Sequence, residues 1–176
     1  VKQIISLQEA GCELIRVAVL DREAAQALAS IKARIKIPLI ADIHFDHRLA
    51  LESIKAGCDG LRINPGNIGA KSKVQEVVKA CRDKKIPIRI GVNAGSLDKK
   101  ILARYKAPGP QAMVESAMEN VKVLEDMGFY DIKISLKASS VALSVQAYRL
   151  MAEMVDYPLH LGITEAGGLR SGTVKS

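Results

Sequence analysis

Several short apolar segments of this sequence alternate with polar or basic side chains. In "LRINPGN" (61–67), Arg62 and Asn64 alternate with apolar residues and precede a Pro-Gly turn. Guanidinium groups bind phosphate through paired hydrogen bonds, and turn glycines let backbone N–H groups approach an anion closely. The basic residues in such segments are Arg16, Arg62, Arg89, Lys133, Lys137 and His160. The pattern predicts a site for a small ligand with one or more phosphates.

Three further residues at the ends of these segments have side chains that can transfer protons. Asp42 and His44 lie in "ADIHFD", and Glu165 directly follows "GIT". A carboxyl or imidazole group at such a position could act as a general acid or base, so we predict these three residues to be catalytic. The alternatives are a structural His–Asp pair, and a salt bridge from Glu165 to Lys137 or to an arginine.

The elements that must position these residues alternate along the chain. "AGCELIRV" (10–17) aligns without a gap with "AGCDGLRI" (56–63), and proline-led segments such as "IPLIADI" lie between the repeats. The pattern predicts six strands, at 14–19, 38–44, 61–64, 88–93, 132–137 and 159–164. Apolar spacing predicts helices at 22–35, 47–56, 71–84, 110–126 and 141–155, with a short helix in the loop at 93–109. Asp46 is the predicted N-cap of the second helix, and Gly57 is its predicted stop.

Strands that alternate with helices indicate an α/β fold with a parallel sheet. An open doubly wound sheet usually has a glycine-rich phosphate loop after its first strand, and "RVAVLDREA" has none. We therefore predict a TIM (β/α)8-type barrel, incomplete in this chain, with about six βα units.

Each predicted strand has one aliphatic face for the helix layer and one polar face for the barrel interior. Unpaired charges in an interior cost several kcal/mol each. Because Asp42 alone cannot balance the basic residues, water or an anion must do so. A Schiff-base lysine, as in barrel aldolases, is an alternative use of Lys133 or Lys137. The predicted substrate-binding set is Arg16, Arg62, Asn64, Arg89, Asn93 and Lys137.

Composition limits the class of protein. The 176 residues carry a net charge of +7, but aromatics make up only 3%, which argues against a nucleic-acid platform. No apolar run approaches the ~20 residues of a membrane span. Cys12, Cys58 and Cys81 have no metal-ligand spacing, so we expect reduced thiols, a cytoplasmic protein and no metal in this chain. Since the first residue is not Met, we expect a piece of a longer protein.

Several strings resemble one known family. "PLIADIHFD", "LRINPGNIG", "IPIRIGVNAGSL" and "PLHLGITEAGG" are similar to the barrel of the 4-hydroxy-3-methylbut-2-enyl diphosphate synthases, and the similarity covers essentially all 176 residues. The resemblance implies a TIM barrel that binds 2-C-methyl-D-erythritol 2,4-cyclodiphosphate. It also implies two-electron reductive ring opening of this substrate to the linear diphosphate.

The resemblance further implies a 4Fe–4S cluster on a separate C-terminal domain, held by three cysteines and a glutamate. It implies a ferredoxin or flavodoxin-type reductant, and a homodimer in which each barrel faces the partner's cluster domain. Family residues that bind the diphosphate match Arg16, Arg62, Arg89, Asn93 and Lys137, and the acidic residue near the reacting carbons matches Glu165.

From the resemblance we expect this chain to lack the family's first strand, its last strand and its cluster domain. The three cysteines do not match the cluster ligands. We therefore expect residues 1–176 to be a partial substrate-binding barrel without turnover of its own. Two alternatives remain open: a pterin-binding barrel of the dihydropteroate synthase type, and a noncatalytic anion-binding module.

Overall fold

A computed structural model describes all residues from 1 to 176. The strands are β1 Ile15–Ala18, β2 Leu39–Asp42, β3 Gly60–Ile63, β4 Ile88–Asn93 and β5 Ile132–Lys137. The helices are α1 Lys2–Glu9, α2 Arg22–Lys32, α3 His47–Lys55, α4 Pro65–Ile68, α5 Lys71–Lys84, α6 Lys99–Tyr105, α7 Pro110–Glu125, α8 Val141–Met154 and α9 Leu169–Lys175. The five strands form one sheet in the order β1-β2-β3-β4-β5.

The ends of the helices follow the predicted capping chemistry. Asp46 accepts a hydrogen bond from the backbone N–H of Arg48 at 2.9 Å and so begins α3. After that helix, Gly57 has a φ of +88°, a left-handed conformation that glycine adopts without steric cost. The long predicted helices are thus confirmed to within a few residues. The short helices α1, α4 and α9 were not predicted.

Contacts divide the chain into two compact units, the first comprising residues 1–89 and 127–131. In this unit β1 pairs in parallel with β2, and β2 with β3. The core side of β2 and β3 is fully aliphatic, with Leu39, Ala41, Leu61 and Ile63 each 0% exposed. Helices α2, α3 and α5 pack side by side. One face of these strands is thereby committed to the core, and alternation leaves the other face for polar side chains.

The second unit comprises residues 90–126 and 132–176. Ile132, Ile134 and Leu136 of β5 are buried, and helices α7 and α8 pack on this strand and on each other. The Ser135 hydroxyl, on the opposite face, donates a hydrogen bond to the carbonyl of Ile90 at 3.3 Å. The predicted alternation in 132–137 therefore holds at these positions.

The prediction of a sixth strand at 159–164 is wrong. This segment makes only an isolated parallel bridge, between Ile134 and Leu159. The hydroxyl of Tyr148 donates to the carbonyl of His160 at 2.6 Å, and a glycine follows at 162, which weakens a strand interior. Leu161, expected on the face toward the helices, is instead 69% exposed.

No helix of the chain combines the length and the apolar character that crossing a bilayer requires.

Candidate functional site

Strand register brings the first group of predicted site residues together. Asp42 lies opposite Arg62 across the β2–β3 pair. The backbone N–H of Leu61 donates to the carbonyl of Pro87 with the same offset as in the β1–β2 ladder, which places Arg62 opposite Arg89. Residues in register on parallel strands point to the same side of a sheet, and neighbouring strands are about 4.8 Å apart. Asp42, Arg62 and Arg89 therefore form one row across three strands.

The carboxylate of Asp42 is shared between two arginines. Its Oδ2 atom lies 2.5 Å from Nη1 of Arg16, and its Oδ1 atom lies 3.3 Å from Nη1 of Arg62. The Asp42 side chain is only 7% exposed, whereas the side chains of Arg16 and Arg62 are 44% and 14% exposed. Each carboxylate oxygen thus holds a different guanidinium group. We call Arg16, Asp42 and Arg62 the arginine clamp.

Three arginines lie close together in this part of the first unit. Arg16 and Arg62 contact the carboxylate of Asp42, and Arg89, which lies next to Arg62 in the row, is buried, at 7% exposure. Like charges on adjacent strands repel each other, and the repulsion is screened least where water is excluded. An anion bound near the row would lower this repulsion, as the sequence predicts.

Asn64 continues the polar face one step beyond the strand. It lies two residues after Arg62 and is the N-cap residue of α4, but its side chain makes no capping hydrogen bond. The Oδ1 atom is buried and has no hydrogen-bond partner. Buried polar atoms are nearly always satisfied, so this acceptor is a candidate contact for a ligand N–H or O–H group.

His44 and Phe45 follow β2 in the loop before α3. The Nε2 atom of His44 lies 3.5 Å from Oδ1 of Asp42, so the His–Asp pair that we weighed as the alternative to a catalytic role is present. The ring of Phe45 contacts that of His44 edge to face at 6.0 Å and is itself 70% exposed. Sequence reasoning missed Phe45. Its signal was an aromatic side chain between His44 and Asp46, in a chain with only two phenylalanines.

Asp46, in the same loop, is the carboxylate with a clearly lowered pKa. A hydrogen bond from the Arg48 side chain, helped by one from the Arg48 backbone, lowers the pKa of Asp46 to about 2. Asp46 therefore stays ionised near neutral pH and caps α3 as an anion, which suits the positive end of a helix.

In the second unit, Asn93 and Lys137 end their strands and are half-buried. Lys137 lies against Gly162: a Cβ atom there would come within 3.2 Å of its Cε and 3.4 Å of its Nζ. Glycine at 162 therefore gives the lysine side chain its space. Lys133 lies four residues before Lys137 on the same strand and is exposed. His160 is half-buried.

Glu165 has a φ of +51°, which residues other than glycine rarely adopt. The side chain is exposed. A strained backbone of this kind persists where the surrounding structure enforces it, and it often occurs at functional loops. The strain is consistent with the predicted role of Glu165, which stays a prediction.

The cysteines do not fit an iron–sulfur cluster. Burial raises the pKa of both Cys58 and Cys81 to about 12, whereas cluster ligands are thiolates. The thiol of Cys12 donates to the carbonyl of Leu14 at 3.0 Å. No group of three or more His, Cys, Asp or Glu side chains is placed to hold a metal ion.

Comparisons with known proteins identify the family of this chain. Residues 1–176 match the family model described as GcpE TIM-barrel domain. A relative from Clostridium perfringens, 4-hydroxy-3-methylbut-2-en-1-yl diphosphate synthase (flavodoxin), is 58% identical over 176 residues, which are 100% of this chain and 50% of the relative. The synthase of the same name from Maridesulfovibrio salexigens is 62% identical over 174 residues, 99% of this chain and 49% of the relative. The chain thus spans about half the length of these curated relatives.

Solved structures of low sequence identity share the fold. Type I 3-dehydroquinate dehydratase from Clostridium difficile superposes with a TM-score of 0.61 at 16% identity, covering 99% of this chain and 72% of that one. Dihydropteroate synthase from the same organism gives a TM-score of 0.60 at 16% identity, covering 92% and 65%. These likenesses confirm the barrel-type α/β fold and carry no information on the ligand. By the full-length family match and the identity to its relatives, the chain belongs to the GcpE TIM-barrel domain family.

Proposed function

We propose that this chain is the substrate-binding barrel of a 4-hydroxy-3-methylbut-2-en-1-yl diphosphate synthase. The substrate is 2-C-methyl-D-erythritol 2,4-cyclodiphosphate, and the product is the linear 4-hydroxy-3-methylbut-2-enyl diphosphate. The observation that carries the proposal is the row of Asp42, Arg62 and Arg89 with Arg16 beside it. Three neighbouring guanidinium groups suit a diphosphate, because each can donate paired hydrogen bonds to phosphate oxygens.

The residues divide between binding and proton transfer. Arg16, Arg62, Arg89 and Asn64 of the first unit bind the diphosphate and a neighbouring ligand group. Their support is the register, the shared carboxylate and the unsatisfied amide oxygen. His44 of the same unit is a proton-transfer candidate because its ring is partly exposed beside Asp42.

For the second unit, the support comes from the family resemblance at each position. Asn93 and Lys137 are proposed to bind substrate, and Glu165 is proposed to transfer a proton near the reacting carbons. The strained backbone of Glu165 adds to this support.

The reduction needs two electrons. In the proposed enzyme a 4Fe–4S cluster supplies them, and residues other than the cysteines of this chain hold it. The names of the relatives support a flavodoxin as the reductant. We also propose a homodimer, and a cytoplasmic location, for which the free thiols provide the support because they suit a reducing compartment.

Turnover by the full-length protein that contains this chain tests the proposal. The protein, with its cluster and reduced flavodoxin, is incubated with the cyclodiphosphate, and the linear diphosphate is measured by mass spectrometry. We expect product in the wild type and in Arg34→Ala, which removes an exposed arginine beyond α2 at the opposite end of the βα unit. Arg62→Ala should lose most of the activity.

Two results would contradict the proposal. Binding without product in a cluster-loaded protein would indicate a noncatalytic anion-binding module. Consumption of a pterin diphosphate with no conversion of the cyclodiphosphate would indicate a barrel of the dihydropteroate synthase type.

A further inference from the structure

We propose that Asp42 is a positioning residue: its carboxylate fixes the guanidinium groups of Arg16 and Arg62 in the orientation that receives the diphosphate. This inference rests on the proposed function. It assigns the carboxylate a role in affinity, which differs from proton transfer to the substrate.

The first argument is geometric. The two oxygens of Asp42 are occupied by different arginines, with Oδ2 2.5 Å from Arg16 and Oδ1 3.3 Å from Arg62. His44 approaches the same Oδ1 atom at 3.5 Å. A carboxylate with both oxygens committed in this way is poorly available as an acid or base for a ligand.

The second argument is conformational freedom. Arg16 is 44% exposed, whereas Asp42 is 7% exposed on a paired strand. A long exposed arginine has many rotamers, and fixing each such side chain costs affinity when it happens on binding. The buried carboxylate fixes Arg16 beforehand, so a ligand meets an arginine clamp that is already formed.

The third argument separates positioning from charge balance. Asp42 lies within ion-pair distance of Arg16 and Arg62, so removing its charge makes the site more positive. If charge alone mattered, Asp42→Asn would bind an anion more tightly. If orientation matters, the same variant binds more weakly. The sign of the change therefore distinguishes the two roles.

The experiment is a calorimetric titration of the full-length protein with inorganic pyrophosphate and, separately, with the cyclodiphosphate. Asp42→Asn is expected to raise Kd about tenfold or more for both ligands, as expected for two side chains that must be ordered on binding. Asp46→Asn is the matched control: it makes the same charge change on a half-buried carboxylate four residues away, and Asn is an equally good N-cap. Its Kd should stay within about twofold of wild type, well below the tenfold step.

A double-mutant cycle adds a readout that a structural role would not move. In an Arg16→Ala background, Asp42→Asn should cost clearly less affinity than in wild type, because one of the two fixed side chains is already absent. If Asp42→Asn does not fold, Asp42→Glu replaces it. Glutamate keeps the charge but displaces the carboxylate by one methylene, and it should also weaken binding.

The outcomes are separable. Wild-type protein that binds neither ligand overturns the proposed function, and this inference with it. Wild-type binding with unchanged or tighter binding in Asp42→Asn overturns this inference alone. Unchanged pyrophosphate affinity together with lost turnover would likewise overturn it, and would assign Asp42 to proton transfer.

Discussion

Replacing Arg62 by alanine is the perturbation whose magnitude the structure defines best. The side chain is 14% exposed and is held by Asp42 at 3.3 Å. Losing the charged hydrogen bonds from one guanidinium group to a phosphate costs about 1.5–3 kcal/mol. This corresponds to a rise in Kd of about 10- to 150-fold. The free energy of unfolding should fall by less, because Asp42 keeps its partner Arg16 and one of several like charges is removed.

Isothermal titration with the cyclodiphosphate measures the loss, and thermal unfolding without ligand measures the stability. Arg34→Ala is the control, since it removes the same charge from an exposed position and should leave Kd within about twofold. An Arg62→Lys variant should recover only part of the affinity, because an ammonium group lacks the planar fork. Equal Kd values for wild type and Arg62→Ala would refute the assignment of the phosphate site to this row.

Three further results are expected. Removing the hydroxyl of Tyr148, which accepts from a backbone N–H of β5 at 3.0 Å and donates to a carbonyl at 2.6 Å, should cost about 1–3 kcal/mol of stability. An unchanged melting temperature in Tyr148→Phe would contradict this. Native protein at pH 8 should react with iodoacetamide at Cys12 but not at Cys58 or Cys81, whose pKa values burial raises to about 12. Because the folded-state pKa of these thiols lies above the unfolded value, their contribution to the free energy of unfolding is retained below about pH 8.5 and is lost as pH rises toward 12. Rapid labelling of Cys58 or Cys81 in the native protein would contradict both the raised pKa and this pH dependence. Borohydride with substrate should add no mass to the lysines of β5, since a cyclodiphosphate has no carbonyl; a stable adduct would indicate aldolase chemistry.

Local signals predicted most of the secondary structure. Asp46 and Gly57 mark the two ends of α3 because capping is decided within a few residues. The alternation in "LRIN" correctly predicted that Arg62 and Asn64 share one face, because the direction of a strand side chain is also decided locally. The helices α1, α4 and α9 escaped prediction since they are short and no side chain caps their first turns by a hydrogen bond.

Relations between strands were beyond the reach of local reasoning. The pairing of Asp42 with Arg62 depends on the register between β2 and β3. Nothing in either strand alone specifies that register. The sequence predicted an excess of positive charge but not that Asp42 would divide its two oxygens between Arg16 and Arg62. The segment at 159–164 has strand-like alternation, yet a tyrosine hydroxyl from α8 takes one of its carbonyls. Tertiary contacts override local propensity at such points.

The most direct measurement is a side-by-side titration of the full-length protein with 2-C-methyl-D-erythritol 2,4-cyclodiphosphate and with a pterin diphosphate. If the arginine clamp and Arg89 form a site for the cyclodiphosphate, this ligand binds more tightly, and Arg62→Ala weakens its binding by about tenfold or more. Preferential binding of the pterin diphosphate, or cyclodiphosphate binding that is indifferent to Arg62, would contradict the proposed site.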